Sequence, residues 1–387
     1  RRGPGMTASG PGTIGRAVFA YVVLGLALLR GTANYVVLDL ANGGVTYRVG
    51  DWVINYAGGF VRRGLFGELL FALSPPGQST VWALAGFQLA CYAVVLAYVA
   101  SFLHRTGYAW PAIALACGPA ALPFVGWDVL AGWRKEIICF AAVALLGWAR
   151  RSLDRRVRVA LTATAVALFG LAMFSWEASV FAVPVMLFLL REPDGRVTLR
   201  GWPALTILGL AVTGGVASVL ARGDVDTADA VCESVVARGL NPDLCPGAIA
   251  MLGQPLDQAV AEVMTRFPLY WTYLWLLPLA LLPVLTTPWL RRNWPWFVAT
   301  ALLVLPLYVI GQDYGRWAHL LVVAPALAIM AGEPSEVLNR WWRGGRTVAY
   351  TTLWGLPHWL PVGATWPLLG VLPALLDLLN QPTWSRP

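Results

Sequence analysis

The chain has 387 residues, of which 58% are hydrophobic and 12% charged, with a mean hydropathy of +0.63. Average soluble domains carry about 25% charged residues, so composition excludes an ordinary soluble protein and points to a membrane. The net charge of +8 admits nucleic acid or anionic lipid as a partner until its distribution along the chain is read.

Taken in order, residues 1–13 are Gly/Pro-rich and read as a disordered N-terminus. Residues 14–380 read as one transmembrane helical domain and 381–387 as a tail. The first apolar run, Ala17–Leu29, lacks a small-residue cleavage site followed by polar sequence, so it reads as a retained helix over about 14–37. The stretch 51–68 then carries Asp51, Arg62, Arg63 and Glu68 among Trp52, Ile54, Tyr56, Phe60, Leu65 and Phe66. Each charge would cost roughly 2.5–3.5 kcal/mol at the bilayer centre, so this is no plain spanning helix. Its aromatics and glycines fit a segment that lies on the membrane or re-enters it.

Further apolar runs fall at about 80–103, 109–127, 135–149, 157–174, 178–190, 202–221, 268–288, 295–311, 317–332, 347–360 and 363–380. Pro111, Pro119 and Pro123 should kink or break the run at 109–127. A long polar loop occupies 222–267 and ends in an amphipathic stretch near 255–266. The expected fold is all-α: a polytopic membrane protein with roughly 10–12 transmembrane helices and a re-entrant or interfacial segment near 51–70.

With the N-terminus inside and the spans alternating, about 18 of the 28 basic residues fall inside, while most of the 20 acidic residues fall outside. Compact clusters such as Arg150-Arg151, Arg155-Arg156 and Arg291-Arg292 all land inside. The basic charge is therefore topogenic, and nucleic acid drops out as a partner. Cys91, Cys117 and Cys139 lie in apolar runs and read as inert core residues. Cys232 and Cys245 flank part of the polar loop and should form a disulfide, which the outer compartment permits. These signals agree on a multi-pass membrane protein with a cytoplasmic N-terminus, and the resemblance given below implies the bacterial inner (plasma) membrane.

On this topology the unusual charges gather at outer junctions: Asp51, Arg62, Arg63 and Glu68; Asp128, Arg134, Lys135 and Glu136; Glu177; Asp313 and Arg316; and His358 at the last turn. Ionisable residues at such positions are functional candidates. Guanidinium groups match phosphate oxygens in pairs. A carboxylate can accept a proton from an acceptor hydroxyl or stabilise an oxocarbenium-like centre. Arg62, Arg63, Arg134, Lys135 and Arg316 are the candidate substrate-binding cations, with Trp176 and Tyr314 as sugar-stacking aromatics. Asp51, Glu177 and Asp313 are the candidate catalytic carboxylates.

Each has a structural alternative. Arg62 and Arg63 suit a headgroup anchor, and Arg134, Lys135 and Glu136 suit a helix cap. Asp313 and Arg316 suit a local i, i+3 pair. Asp128 suits a cap and His358 an interfacial histidine. Asp224, Asp226 and Asp229 read as a solvated surface without the full ligand spacing of a calcium loop. No Cys/His metal spacing occurs and no cofactor is expected. No dense carboxylate motif demands a divalent metal, and the residues leave metal dependence open.

The motifs Asn55-Tyr-Ala-Gly-Gly-Phe-Val-Arg-Arg-Gly-Leu65, Arg134-Lys-Glu136, Trp176-Glu177 with Phe181-Ala-Val-Pro184, and Asp313-Tyr-Gly-Arg316 give the chain a resemblance to a known group. In their order they resemble the bacterial polysaccharide polymerases of the Wzy and EpsG-like type. More loosely, they resemble the multi-pass GT-C-like glycosyltransferases. The resemblance implies a polyprenyl-diphosphate-linked glycan as substrate, an outer-face arginine set that holds the diphosphate, and a first-loop acid as base, here Asp39 or Asp51. It also implies work beside other cell-envelope assembly proteins. The loop at 222–267 is acidic, whereas many such polymerases carry an arginine-rich one.

The expected function is glycosyl transfer or polymerisation on the outer face. A transporter or flippase of a lipid-linked or anionic substrate is the alternative, and would need polar groups along a whole path. A membrane acyl- or phosphotransferase would need a histidine beside an acid, which His104, His319 and His358 do not show in sequence. A non-catalytic scaffold is the remaining option.

Overall fold

A computed structural model describes residues 11–44, 47–191 and 201–359. The expected last span at 363–380 and the tail at 381–387 lie outside the described residues, as do residues 1–10. The described residues are helical without strands, and the protein is an all-α, membrane-embedded polytopic bundle.

The bundle has two unlike ends. Helix α1 (Pro11–Tyr35) continues through a π-helical turn, Val36–Leu40. Two short helices follow, α2 (Tyr47–Trp52) and α3 (Leu65–Leu73). Then come α4 (Gln78–Arg105), α5 (Trp110–Cys117), α6 (Phe124–Trp127), α7 (Glu136–Arg151) and α8 (Arg155–Ser175). A 3-10 turn, Glu177–Ala182, leads into α9 (Val183–Leu189), and α10 (Trp202–Leu220) follows. The polar loop forms α11 (Val225–Ala237) and the amphipathic α12 (Leu256–Arg266). The chain finishes its described part with α13 (Tyr273–Leu285), α14 (Pro288–Val304), α15 (Leu307–Ile310), α16 (Tyr314–Met330) and α17 (Gly344–Thr352).

One end is built from arginines on helix C-termini. Arg105 donates to Met330 O at 2.7 Å, and Arg151 donates to Ala331 O and Gly332 O just past α16. Arg150 donates to Leu189 O and Arg191 O beyond α9. Arg191 reaches the Asn293 side chain at 2.9 Å. These cations meet carbonyls that have no intrahelical partner and carry the negative end of the helix dipole. The residues that the sequence assigns to one side by charge are thus gathered in space. The opposite end holds α2, α3, the disulfide loop and the remaining charges.

Among the described residues, five helices are long and apolar enough to cross a membrane: Gly12–Leu40, Gln78–Arg105, Arg155–Ser175, Trp202–Leu220 and Pro288–Ile310. A bent pair, Leu256–Arg266 with Tyr270–Leu285, makes a sixth if counted as one span. Of the expected ten to twelve spans, these are the ones of full bilayer length among the described residues. The remaining traverses are shorter. Pro111 opens α5, and Pro123 sits at the start of α6, so the run at 109–127 breaks in two as its prolines predict. Helix α7 has 16 residues and α16 has 17, which at 1.5 Å per residue gives roughly 24–26 Å against a hydrocarbon core of about 30 Å.

The reason is burial. Every residue of α16 and nearly every residue of α7 is buried inside the described structure. A helix sheathed by other helices has no need to match the bilayer, and polar backbone is tolerated at its ends where protein surrounds it. The runs expected at 135–149 and 317–332 are thus helices, shorter than a lipid-facing span needs to be.

The segment near 51–70 lies across the end of the bundle and does not traverse it. Trp52, Val53 and Ile54 are fully buried, while Phe60, Leu69 and Leu73 remain exposed on its rim. A Cβ on Gly67 would lie 2.0 Å from Ile54 O, so the return of the chain onto α3 needs glycine there. Helix α1 begins at Pro11, so 11–13, expected in a disordered tail, are helical.

Cys232 and Cys245 form a disulfide with a Cα–Cα distance of 5.4 Å. Their separation of 13 closes a short loop worth about 3 kcal/mol by the chain-entropy argument. Replacing both by alanine should lower the thermal midpoint of purified protein, and reduction of the wild type should lower it equally. An unchanged midpoint would mean that packing alone holds the loop.

Candidate functional site

Four junctions expected at one face meet at the disulfide end. From α2, Asp51 lies 3.6 Å from Lys135 Nζ, and that amine also donates to Ser175 O at 2.8 Å and Arg63 O at 3.2 Å. Arg63 grips Glu177 with both Nε and Nη2, at 2.8 and 2.5 Å. Arg62 lies 3.7 Å from the same carboxylate. From α16, Arg316 donates to both oxygens of Glu136, at 2.9 and 2.7 Å, and its remaining nitrogen reaches Asp313 at 3.0 Å. Trp176 covers the Arg316 guanidinium at 5.4 Å. A further buried pair, Arg48 with Asp39, braces the start of the segment.

The pairs are well shielded. Lys135 is wholly buried, and Arg316 and Glu136 are each 6% exposed. Such charges persist only when each is paired and hydrogen-bonded. Burial pushes the Lys135 ammonium down to about 8, against the pull of Asp51. Burial alone would raise the Asp313 carboxyl, but Arg316, His358 and Arg134 outweigh it and hold the group below its ordinary range.

Arg134 breaks this pattern. It is 94% buried by its 6% exposure, yet Nε and Nη1 have no hydrogen-bond partner among the described residues. Its other nitrogen donates to Leu130 O at 3.2 Å, and the guanidinium lies 4.7 Å from the centre of the Tyr47 ring. The backbone that presents it is strained. Trp133 has φ of +63° and Arg63 has φ of +72°, two of the three non-glycine residues with positive φ among those described. Such conformations cost of order 1–3 kcal/mol and persist only where the surroundings impose them. Around Trp133 they do: Trp52 and Gln88 donate to its carbonyl at 2.8 Å, Tyr92 accepts from its N–H, and Tyr35 stacks on its ring at 4.5 Å. Trp133→Ala should cost about 3–5 kcal/mol. Thermal unfolding of the variant beside wild type measures that loss.

The structure also brings together a pair that no local pattern announces. His358 Nδ1 lies 2.7 Å from Asp128 Oδ2, and the His358 N–H donates to the same oxygen at 2.6 Å. The other Asp128 oxygen accepts from Ala131 N at 3.2 Å. Asp128 is therefore a loop cap, as one sequence reading has it, and also the partner of a histidine 230 residues away. A glycine makes this possible: a Cβ on Gly315 would lie 1.8 Å from Pro357 O. Gly315 N instead donates to His358 O at 3.1 Å, which pins the last segment onto the start of α16 beside Asp313. The sequence reading that no histidine sits beside an acid is thus corrected for His358.

The aromatic candidates have their faces taken. Trp176 is 4% exposed and lies against Arg316, and Tyr314 stacks on Tyr270 at 4.1 Å while its hydroxyl donates to Tyr308 O. Both are wall residues, not open platforms for a sugar. Asp224 caps α11 through Thr227 N, and Asp226 and Asp229 are exposed. Among the described residues, no group of three or more His, Cys, Asp or Glu side chains is arranged to hold a metal. Tyr47 and Ser175 are site residues the sequence did not mark; neither charge nor spacing sets them apart.

Compared with protein-family models, with curated proteins and with solved structures, the chain has no match.

Proposed function

We propose that this protein transfers or polymerises sugars from a polyprenyl-diphosphate-linked donor at the disulfide end. In this reading that end faces the outside of the bacterial plasma membrane and the arginine end faces the cytoplasm. The observation that carries the reading is Arg134, a buried guanidinium whose Nε and Nη1 meet no acceptor among the described residues and are left for an anion. Leaving buried donors unmade costs about 1–3 kcal/mol each, which a bound diphosphate would offset. Two further features favour an anion there. The N-termini of α7 and α16 converge on the site with their positive dipole ends. Arg62 adds a second guanidinium whose Nε is buried without a partner.

The other cations divide the work. Arg63, Lys135 and Arg316 are committed to carboxylates and hold the frame, so Arg134 and Arg62 would meet the diphosphate. Among the carboxylates, both oxygens of Glu177 and Glu136 are bound by arginine, and Asp51 is 5% exposed. Asp313 is 28% exposed and shares only one contact with Arg316. It is the carboxylate placed to face positive charge developing at the anomeric carbon. The transporter alternative is less well supported. Helix α7 carries no charged side chain between Glu136 and Arg150, so the polar path stops at one end.

The test is turnover by purified protein given a polyprenyl-diphosphate oligosaccharide, following glycan length and release of the lipid diphosphate. Wild type should turn over, and Asp313→Asn should lose about 10²–10⁴-fold, the usual weight of one acid–base or charge-stabilising group. Intact donor that moves between liposome leaflets would replace the transferase with a flippase.

A further inference from the structure

We infer that the Asp128–His358 pair is the general base of the site, taking the proton of the acceptor hydroxyl. This rests on the transferase reading above and deepens it, since sequence alone offers only carboxylates for the role.

The geometry is that of a positioned imidazole. Asp128 binds Nδ1 at 2.7 Å, which fixes the ring and leaves Nε2 as the working nitrogen. Nε2 has no hydrogen-bond partner among the described residues, and the side chain is 15% exposed, so it can be reached. The backbone that carries the ring is held at three points: the His358 backbone N–H donates to Asp128, its carbonyl accepts from Gly315 N, and the preceding carbonyl, Pro357 O, accepts from Tyr273 Oη at 2.8 Å. Asp313 is near enough to be stabilised by it, and Arg266 packs on the neighbouring Trp359 ring at 5.2 Å. A structural histidine in a bundle is more simply placed, as His319 shows: it is 2% exposed, stacked on Phe124 and bonded to Ala120 O.

The step balances without any further reagent. As the acceptor oxygen bonds to the anomeric carbon, Nε2 takes its proton. The bond from that carbon to the phosphate oxygen breaks, and its electron pair leaves with the polyprenyl diphosphate, against Arg134 and Arg62. The imidazolium is held by Asp128 and returns its proton to water.

The experiment compares wild type, His358→Ala, Asp128→Asn and Asp313→Asn in turnover with a polyprenyl-diphosphate oligosaccharide, each with and without added imidazole. His358→Ala should lose about 10²–10⁴-fold in turnover. Imidazole should restore a measurable part of that loss, and should do nothing for Asp313→Asn. Asp128→Asn, which leaves the ring in place, should also be slow and unrescued. A folded His358→Ala with wild-type turnover, while Asp313→Asn is inactive, would overturn the base and leave the transferase standing. A slow His358→Ala that imidazole does not help, with an unchanged melting profile, would make His358 a positioning residue and also overturn it. No turnover by wild type with authentic donor would overturn the parent reading and this one with it.

Discussion

Arg316→Met is expected to destabilise the protein by about 3–5 kcal/mol, the usual result of removing one partner of a buried ion pair. Glu136, 6% exposed, would lose both of its guanidinium bonds and keep its charge with no acceptor role fulfilled. The double change Glu136→Leu with Arg316→Met should recover most of that loss. Two apolar groups of similar volume are often as stable as the ion pair they replace, and Asp313, 28% exposed, can turn to water. Thermal or denaturant unfolding of the three proteins in detergent measures this. Equal losses in the single and double variants would mean that the pair is worth its full Coulomb energy and that the site is a stabilising device.

Arg134→Met should behave the opposite way. It removes two buried donors that have no partner among the described residues, so stability should hold or rise. Yet donor binding should fall by about 100-fold or more, the equivalent of two hydrogen bonds to a charged group at roughly 1.5–3 kcal/mol each. A more stable and less active variant is the signature of a residue kept for function against the interests of the fold. Arg134→Lys should not restore binding, because a single ammonium lacks the planar fork. If Arg134→Met were as damaging to stability as Arg316→Met, Arg134 would be a frame residue and the diphosphate would have lost its principal ligand.

Much of this was legible in the sequence because charge is expensive in a membrane. Asp51, Arg63, Lys135, Glu177, Asp313 and Arg316 stand out as interruptions of apolar runs, and the structure brings them together at one end. The arginines that cap α9 and α16 stand out for the same reason. The disulfide followed from two cysteines in one polar loop.

What stayed hidden depends on packing between distant segments. That Arg63 and Arg316 are paired and Arg134 is left over is decided by carboxylates 114 and 180 residues away, and no window along the chain contains both. Asp128 and His358 each have an ordinary local explanation, and only the close approach at Gly315 joins them. The burial of α7 and α16 is hidden because hydropathy measures how apolar a run is and is blind to whether lipid or protein covers it. Tyr47 was invisible because its role is to lie beneath a guanidinium.

The most direct measurement is the thermal midpoint of purified wild type and Arg134→Met, each with and without excess polyprenyl diphosphate. A ligand that binds only the folded state raises the midpoint in proportion to the logarithm of its saturation. The account predicts a clear rise for wild type and little or none for Arg134→Met, whose own midpoint without ligand is equal or higher. Equal rises in the two proteins, or none in wild type at saturating ligand, would contradict it.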